Sequence, residues 1–297
     1  MAVTALEQPK ICRLARFGLT TSNADRLTSF YVSAFGCRRR ALEHRSGPQF
    51  ETLMGVEGGA ASVTLALGDD VIELLQFDQP GRPYPPGCSS FDLIFQHFAI
   101  VVTNFEKAFQ RLSSVAGWTA ITSEGPQHLP ARSGGVTAFK FRDPDGHPLE
   151  LLAFGTHNVP PRWRTVAGGN PCLGIDHSAI SVAESSRSIH FYEGLGLRVS
   201  GRNLNEGVEQ GRLDGLHEPR VEVTALTPAQ PSPHVELLCY RGVQRGDSFV
   251  LRSNDVAATR LVLEAGGPSR SSPGAITQRA MQDPDGHHLL IVAPLAC

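Results

Sequence analysis

Two histidines and two glutamates stand where they could hold a divalent cation. His97 and His177 each open a run reading His-x-Ala-Ile-x-Val, and Glu150 and Glu236 open two of three Glu-Leu-Leu runs, the third starting at Glu73. A carboxylate on a strand otherwise this apolar costs several kcal/mol if buried unpaired, so it must be bound to something. Imidazoles and carboxylates together form a nitrogen and oxygen set that suits Fe, Mn, Ni, Co or Zn. One histidine near a strand start is usually a hydrogen-bonded structural residue. Two histidines and two glutamates at corresponding places point instead to a metal site.

The correspondence comes from an internal repeat. Asp-Pro-Asp-Gly-His occurs at Asp143 to His147 and again at Asp283 to His287, each time before a short apolar run. Phe30-Tyr31 with Gly36 is echoed by Phe191-Tyr192 with Gly196, and a fourth segment, Leu289-Leu290-Ile291, lacks the acid. The chain therefore reads as four units of strand, helix, strand, strand, strand, at about 11–77, 93–154, 173–240 and 247–293, the last one degenerate. Breaker-rich stretches at 79–88 and 155–172 separate them. Two domains follow, 11–155 and 173–295, each of two βαβββ modules.

Alternation places the chemistry on one face. His97, Ala99 and Val101 share a face, as do Glu150, Leu152 and Phe154, and Glu236, Leu238 and Tyr240. With 297 residues, 41% of them hydrophobic, the chain has room for two real cores, and a net charge of −2 gives no electrostatic case for nucleic acid or a membrane surface. No window reaches the apolar length of a membrane span and the first ten residues lack a signal-like run, so a cytoplasmic protein is expected. The six cysteines show no zinc-ribbon or redox spacing and read as reduced thiols.

These strands, the helix ends in which Phe-Tyr is followed by Gly after four residues at Gly36 and three at Gly196, and the Asp-Pro-Asp-Gly-His turns resemble the vicinal oxygen chelate superfamily. That superfamily includes glyoxalase I, extradiol ring-cleaving dioxygenases, fosfomycin-modifying enzymes and bleomycin-binding proteins. The resemblance implies an α+β fold in which paired βαβββ units form half-barrel sheets around one divalent metal. Each unit then supplies a first-strand ligand and a last-strand glutamate. Unit one offers Arg16 and Glu73, unit two His97 and Glu150, unit three His177 and Glu236, and unit four Ser248 (or Asp247) and Leu290. Pairing two with three and one with four leaves one intact site and one dead one, in which Arg16 and Glu73 form a structural ion pair.

The resemblance implies a metal-dependent isomerase or lyase in which Glu150 or Glu236 serves as base beside an enediolate. The alternatives are an extradiol-type dioxygenase using Fe(II), and a non-catalytic binder of a small drug or metabolite. Glyoxalase I places an Arg and an Asn where this chain has Val101, Ser181, Phe154 and Tyr240. The expected substrate is therefore small, not carried on glutathione, and lodged against Phe154, Tyr240 and a loop histidine, His128. His147, His287 and His288 are expected to serve their turns only. A monomer or homodimer completes the expectation.

Overall fold

The computed structural model describes residues 10–164, 169–243, 249–266 and 278–293. Unit one contains β1 (Ile11–Thr20), α1 (Ala24–Phe35), β2 (Arg38–Arg45), α2 (Pro48–Met54), β3 (Ala60–Leu67) and β4 (Asp70–Phe77). Unit two contains β5 (Gln96–Val102), α3 (Phe105–Ser113), β6 (Thr119–Ala120), β7 (Gln127–His128), β8 (Thr137–Arg142) and β9 (Pro148–Ala153). Unit three runs through β10 (Cys172–Ser181), α4 (Ser185–Gly194), β11 (Arg198–Glu206), α5 (Val208–Asp214), β12 (Arg220–Thr227) and β13 (His234–Arg241). Unit four is represented by β14 (Arg260–Ala265), β15 (Gln278–Gln282) and β16 (His288–Val292), and the stretch between β14 and β15 lies outside the described residues.

Each sheet draws on both halves of the chain. One has the order β15-β16-β14-β1-β4-β3-β2, joining units four and one; the other runs β11-β12-β13-β10-β5-β9-β8-β6, joining units three and two. Within a unit the first and last strands run parallel, as in β5 with β9 and β10 with β13. Between units the first strands meet antiparallel, β1 with β14 and β5 with β10. Neither sheet closes into a barrel, so each keeps a concave face.

Strand alternation sorts the two faces. Leu149 and Leu151 of β9, Leu237 of β13, Phe98 and Ile100 of β5 and their counterparts Phe17, Leu261 and Leu289 enter one continuous core with α1, α3 and α4. The intervening residues, Glu150 and Leu152 among them, face the concave side. Asn23 and Asn104 start α1 and α3 by accepting the backbone N–H of Arg26 and Lys107, and Gly36 ends α1 in the left-handed region.

The repeated turns act as staples between units. Asp143 accepts the backbone N–H groups of Asp145 and His147, and it also accepts the hydroxyl of Tyr31 from unit one at 3.1 Å. Asp283 does the same for Asp285, His287 and Tyr192 of unit three. His147 Nε2 reaches the carbonyls of Thr20 and Val256, and His287 Nε2 that of Ser181. The paired Phe-Tyr and Asp-Pro-Asp-Gly-His motifs are thus two ends of one contact, and these histidines are structural. All five described cysteines are free.

Candidate metal centre

The concave face of the unit two and three sheet brings His97, Glu150, His177 and Glu236 together. His97 stands on β5 and Glu150 on β9, where the parallel register sets Ala99 beside Glu150, two residues past the histidine. His177 and Glu236 repeat this arrangement on β10 and β13, with Ala179 beside Glu236. His97 Nε2 lies 2.9 Å from Glu150 Oε2, and His177 Nε2 lies 3.8 Å from that oxygen and 3.7 Å from Glu236 Oε2. Atoms bonded to one ion at about 2.1 Å are roughly 3 Å apart when adjacent and roughly 4.2 Å apart when opposite. His97, Glu150 and His177 offer atoms close enough for one divalent ion, and Glu236 stands at the edge of that group, 3.7 Å from His177. His97 Nδ1 is buried with no partner among the described residues, a polar atom that the protein alone leaves unmet.

A bulge aims His177. Between Ile175 and Ser178 the register of β10 against β5 slips, so consecutive residues Asp176 and His177 no longer point to opposite faces. Asp176 Oδ2 therefore meets His177 Nδ1 at 3.1 Å, while its other oxygen accepts the indole N–H of Trp163 at 2.9 Å. A carboxylate on the remote ring nitrogen is the device that orients metal-ligating histidines. His234 completes the group, 3.8 Å from Asp176 and 3.4 Å from Glu236.

The charges favour a cation. Burial alone would lower the pKa of His177, but Glu236, Asp176 and Glu150 overcome it and raise the imidazole to about 9. His97 moves down, through burial and then the ammonium of Lys140. Glu150 and Glu236 stay below the usual carboxylate range despite burial, held there chiefly by His97 and Lys140 for Glu150 and by His177 and His234 for Glu236. Three carboxylates crowd His177, and the charge they impose is the charge a divalent ion would meet.

These ligands sit in a cavity of about 190 Å³ that is also lined by Phe154, Tyr240, Leu152, Leu238, Lys140 and Gln210. Phe154 and Tyr240 are where alternation puts them. His128 is not among the lining residues: it is exposed, with Nδ1 3.2 Å from Thr137 Oγ1, and its neighbour Leu129 faces the cavity instead. The pairing of β7 with β8 turns successive side chains to opposite sides, which a loop reading of this segment does not anticipate.

Sequence reasoning missed Lys140, Asp214, Gln210 and Asp176. Lys140 Nζ donates to Asp214 Oδ1 at 2.6 Å, and Asp214 Oδ2 accepts Gln210 Nε2 at 2.7 Å and the Tyr240 hydroxyl at 3.0 Å. A signal was present in the repeat. Opposite the last-strand acid or its relic, three units carry Thr64, Ala225 and Ala280, and unit two alone carries Lys140.

The other sheet has no such centre among the described residues. Arg16 and Glu73 pair at 3.3 Å, with Arg45 2.8 Å from the other carboxylate oxygen and Ser62 Oγ donating to it at 3.1 Å. The fourth first-strand position needs correction. Ser248 and Asp247 lie outside the described residues, and the strand of unit four that pairs with β1 is β14. Gly18 faces Arg260 as Ala179 faces His97, and Val262 pairs Leu290 as Ala99 pairs Glu150, so Arg260 holds the ligand position. The apolar run at 261–263 carried no histidine to mark the strand, which is why the residue escaped notice. Arg260 is buried, donates to Thr20 Oγ1 at 2.9 Å and to the Ser253 carbonyl, and stands 5.6 Å over the Phe77 ring.

Residues 13–151 match the family model described as the Glyoxalase/Bleomycin resistance protein/Dioxygenase superfamily. Among solved structures, a point mutant of glyoxalase I from Zea mays aligns at 19% identity and a TM-score of 0.59, over 95% of this chain and 92% of that one. Zea mays glyoxalase I aligns at 17% identity and 0.57, with the same coverage. A Bacillus subtilis subsp. subtilis str. 168 protein, provisionally described as a dioxygenase, aligns at 12% and 0.57 over 98% and 87%. At these identities the likeness shows a shared fold. No curated protein matches the sequence. No helix among the described residues is long and apolar enough to cross a membrane.

Proposed function

We propose that this chain is a divalent-metal-dependent enzyme of glyoxalase-like type, an isomerase or lyase acting on a small substrate with adjacent oxygens. The observation that supports it is the contrast between the two concave faces: His97, Glu150, His177 and Glu236 converge on one, and Arg16, Glu73, Arg260 and Leu290 hold the same places on the other. A bound divalent ion would hold two adjacent oxygens and polarise a carbonyl. The residues of the chain do the rest. Glu150 or Glu236 takes a proton from the carbon beside that carbonyl and returns it. Asp176 keeps His177 oriented, and Leu129, Val136, Leu152 and Leu238 keep bulk water from the reacting end.

Glutathione is a poor fit. Where a carrier's charged groups would need partners, Ser181 Oγ donates to the Ser90 carbonyl, the Tyr240 hydroxyl to Asp214, and Phe154 and Val101 are apolar. The test is metal content by elemental mass spectrometry on wild type, His97→Ala with His177→Ala, and Glu73→Ala. About one equivalent is expected in the wild type and in Glu73→Ala, and none in the double variant. A protein free of metal that binds ligand unchanged would be a small-molecule binder instead.

One observation favours a second reading, an extradiol-type dioxygenase using Fe(II). One ligand atom from each of His97, Glu150 and His177 lie within 4.8 Å of one another, whereas Glu236 is partly exposed at the edge of that group. Two histidines and one carboxylate suit oxygen chemistry at iron. Oxygen uptake with catechol after anaerobic iron reconstitution separates the readings.

A further inference from the structure

The two concave faces are internal copies, so each polar residue of one can be set against its counterpart in the other. Helices α2 and α5 have the same length, begin after Gly47 and Gly207 and end at Gly55 and Gly215. At the third helical position α2 has Phe50 and α5 has Gln210; at the seventh they have Met54 and Asp214. Four residues beyond the last-strand glutamate stand Phe77 in one copy and Tyr240 in the other. Phe50, Met54 and Phe77 pack into an apolar cluster that fills their side of the sheet. Gln210, Tyr240 and Lys140 line a cavity instead, and behind them all three bond to Asp214.

Asp214 is the hub of this second set. A carboxylate only accepts, so the bond from Gln210 commits the amide nitrogen to Asp214 and leaves Oε1 as the free end. Gln210 is 4% exposed, and its Oε1 is buried with no partner among the described residues. Ser133 Oγ, in the same cavity, shares that condition. An unmet buried acceptor costs about 1–3 kcal/mol. The other copy shows that the fold can avoid the cost with Phe50. The amide nitrogen serves Asp214, but no described residue uses Oε1, which points that atom to recognition.

We infer that Gln210 Oε1 accepts a hydrogen bond from a hydroxyl of the substrate, so that the site takes a small hydroxylated compound with a free hydroxyl beyond its two chelating oxygens. This rests on the metal-dependent reading above. The cavity of about 190 Å³ suits a small compound. Lys140 and Tyr240 act as positioning residues, fixing Asp214 and through it the amide.

The test uses the full chain loaded with Co(II), whose visible absorption reports ligands entering the metal's surroundings. Two probes differ by one hydroxyl: dihydroxyacetone and hydroxyacetone. Wild type is expected to prefer dihydroxyacetone by about tenfold or more, because a site built for a hydroxyl penalises the analogue lacking it. Gln210→Met should bring that preference close to unity while metal content and the hydroxyacetone response persist. Gln210→Ala, which removes the same acceptor without filling its place, should do likewise. An unchanged preference in either variant, or none in the wild type, overturns the inference. A wild type that takes up no Co(II) overturns the metal-dependent reading itself, whereas a loaded wild type that answers neither probe overturns the inference about the substrate.

Discussion

The sheet of units two and three and the sheet of units one and four share strand order, register and even the bulge on the first strand, yet they bury opposite chemistry. One collects carboxylates around two imidazoles and keeps a cavity over them. The other answers Glu73 with the fixed charges of Arg16 and Arg45, sets the buried guanidinium of Arg260 over Phe77 and fills its concave side with α2. A guanidinium cannot give up its proton and so cannot be a ligand, but it neutralises a buried carboxylate without an ion. The lesson is that a metal site and an ion pair are alternative solutions to the same buried acid.

The comparison breaks most completely if the histidines are removed. His97→Ala with His177→Ala should abolish metal binding and activity, as read by elemental analysis, and leave the other sheet's packing intact by circular dichroism. Asp176→Asn comes next. Its carboxylate orients His177, and the equivalent position in the other sheet is Ala15, so the variant should weaken metal binding by about 10- to 100-fold in a chelator competition.

Phe50→Ala sharpens the contrast from the other side. It should cost about 3 kcal/mol in denaturant unfolding by emptying the filled face, without altering metal stoichiometry. Acid gives the smallest effect. The pKa of Glu73 is opposed by burial but lowered by Arg16 and Arg45 to below 4.5, so its stabilisation is complete above that value and fades as pH falls through the depressed one. Glu73→Gln should lose about 1–2 kcal/mol at neutral pH, with the gap from wild type closing as pH drops.

Much of the candidate site was legible because it lies on strands. Period-two alternation assigned Glu150, Leu152 and Phe154 to one face without any tertiary information, and the repeat supplied the matching histidines. Gln210 and Asp214 were not legible, because a seven-residue helix between two glycines says nothing about which sheet it will cover. His128 was misread for a related reason: whether a short segment is a loop or an edge strand depends on a partner, here β8.

By itself the sequence determined the internal repeat, the alternating faces, the turn motifs and the four candidate donors, since each follows from local spacing and residue type. Tertiary structure decided that strands far apart in the chain share a sheet, that a bulge turns Asp176 toward His177, that Arg260 occupies the vacant ligand position, and that α5 lines a cavity where α2 fills one. Those outcomes depend on pairing between distant segments and on the packing it permits, which no local period encodes.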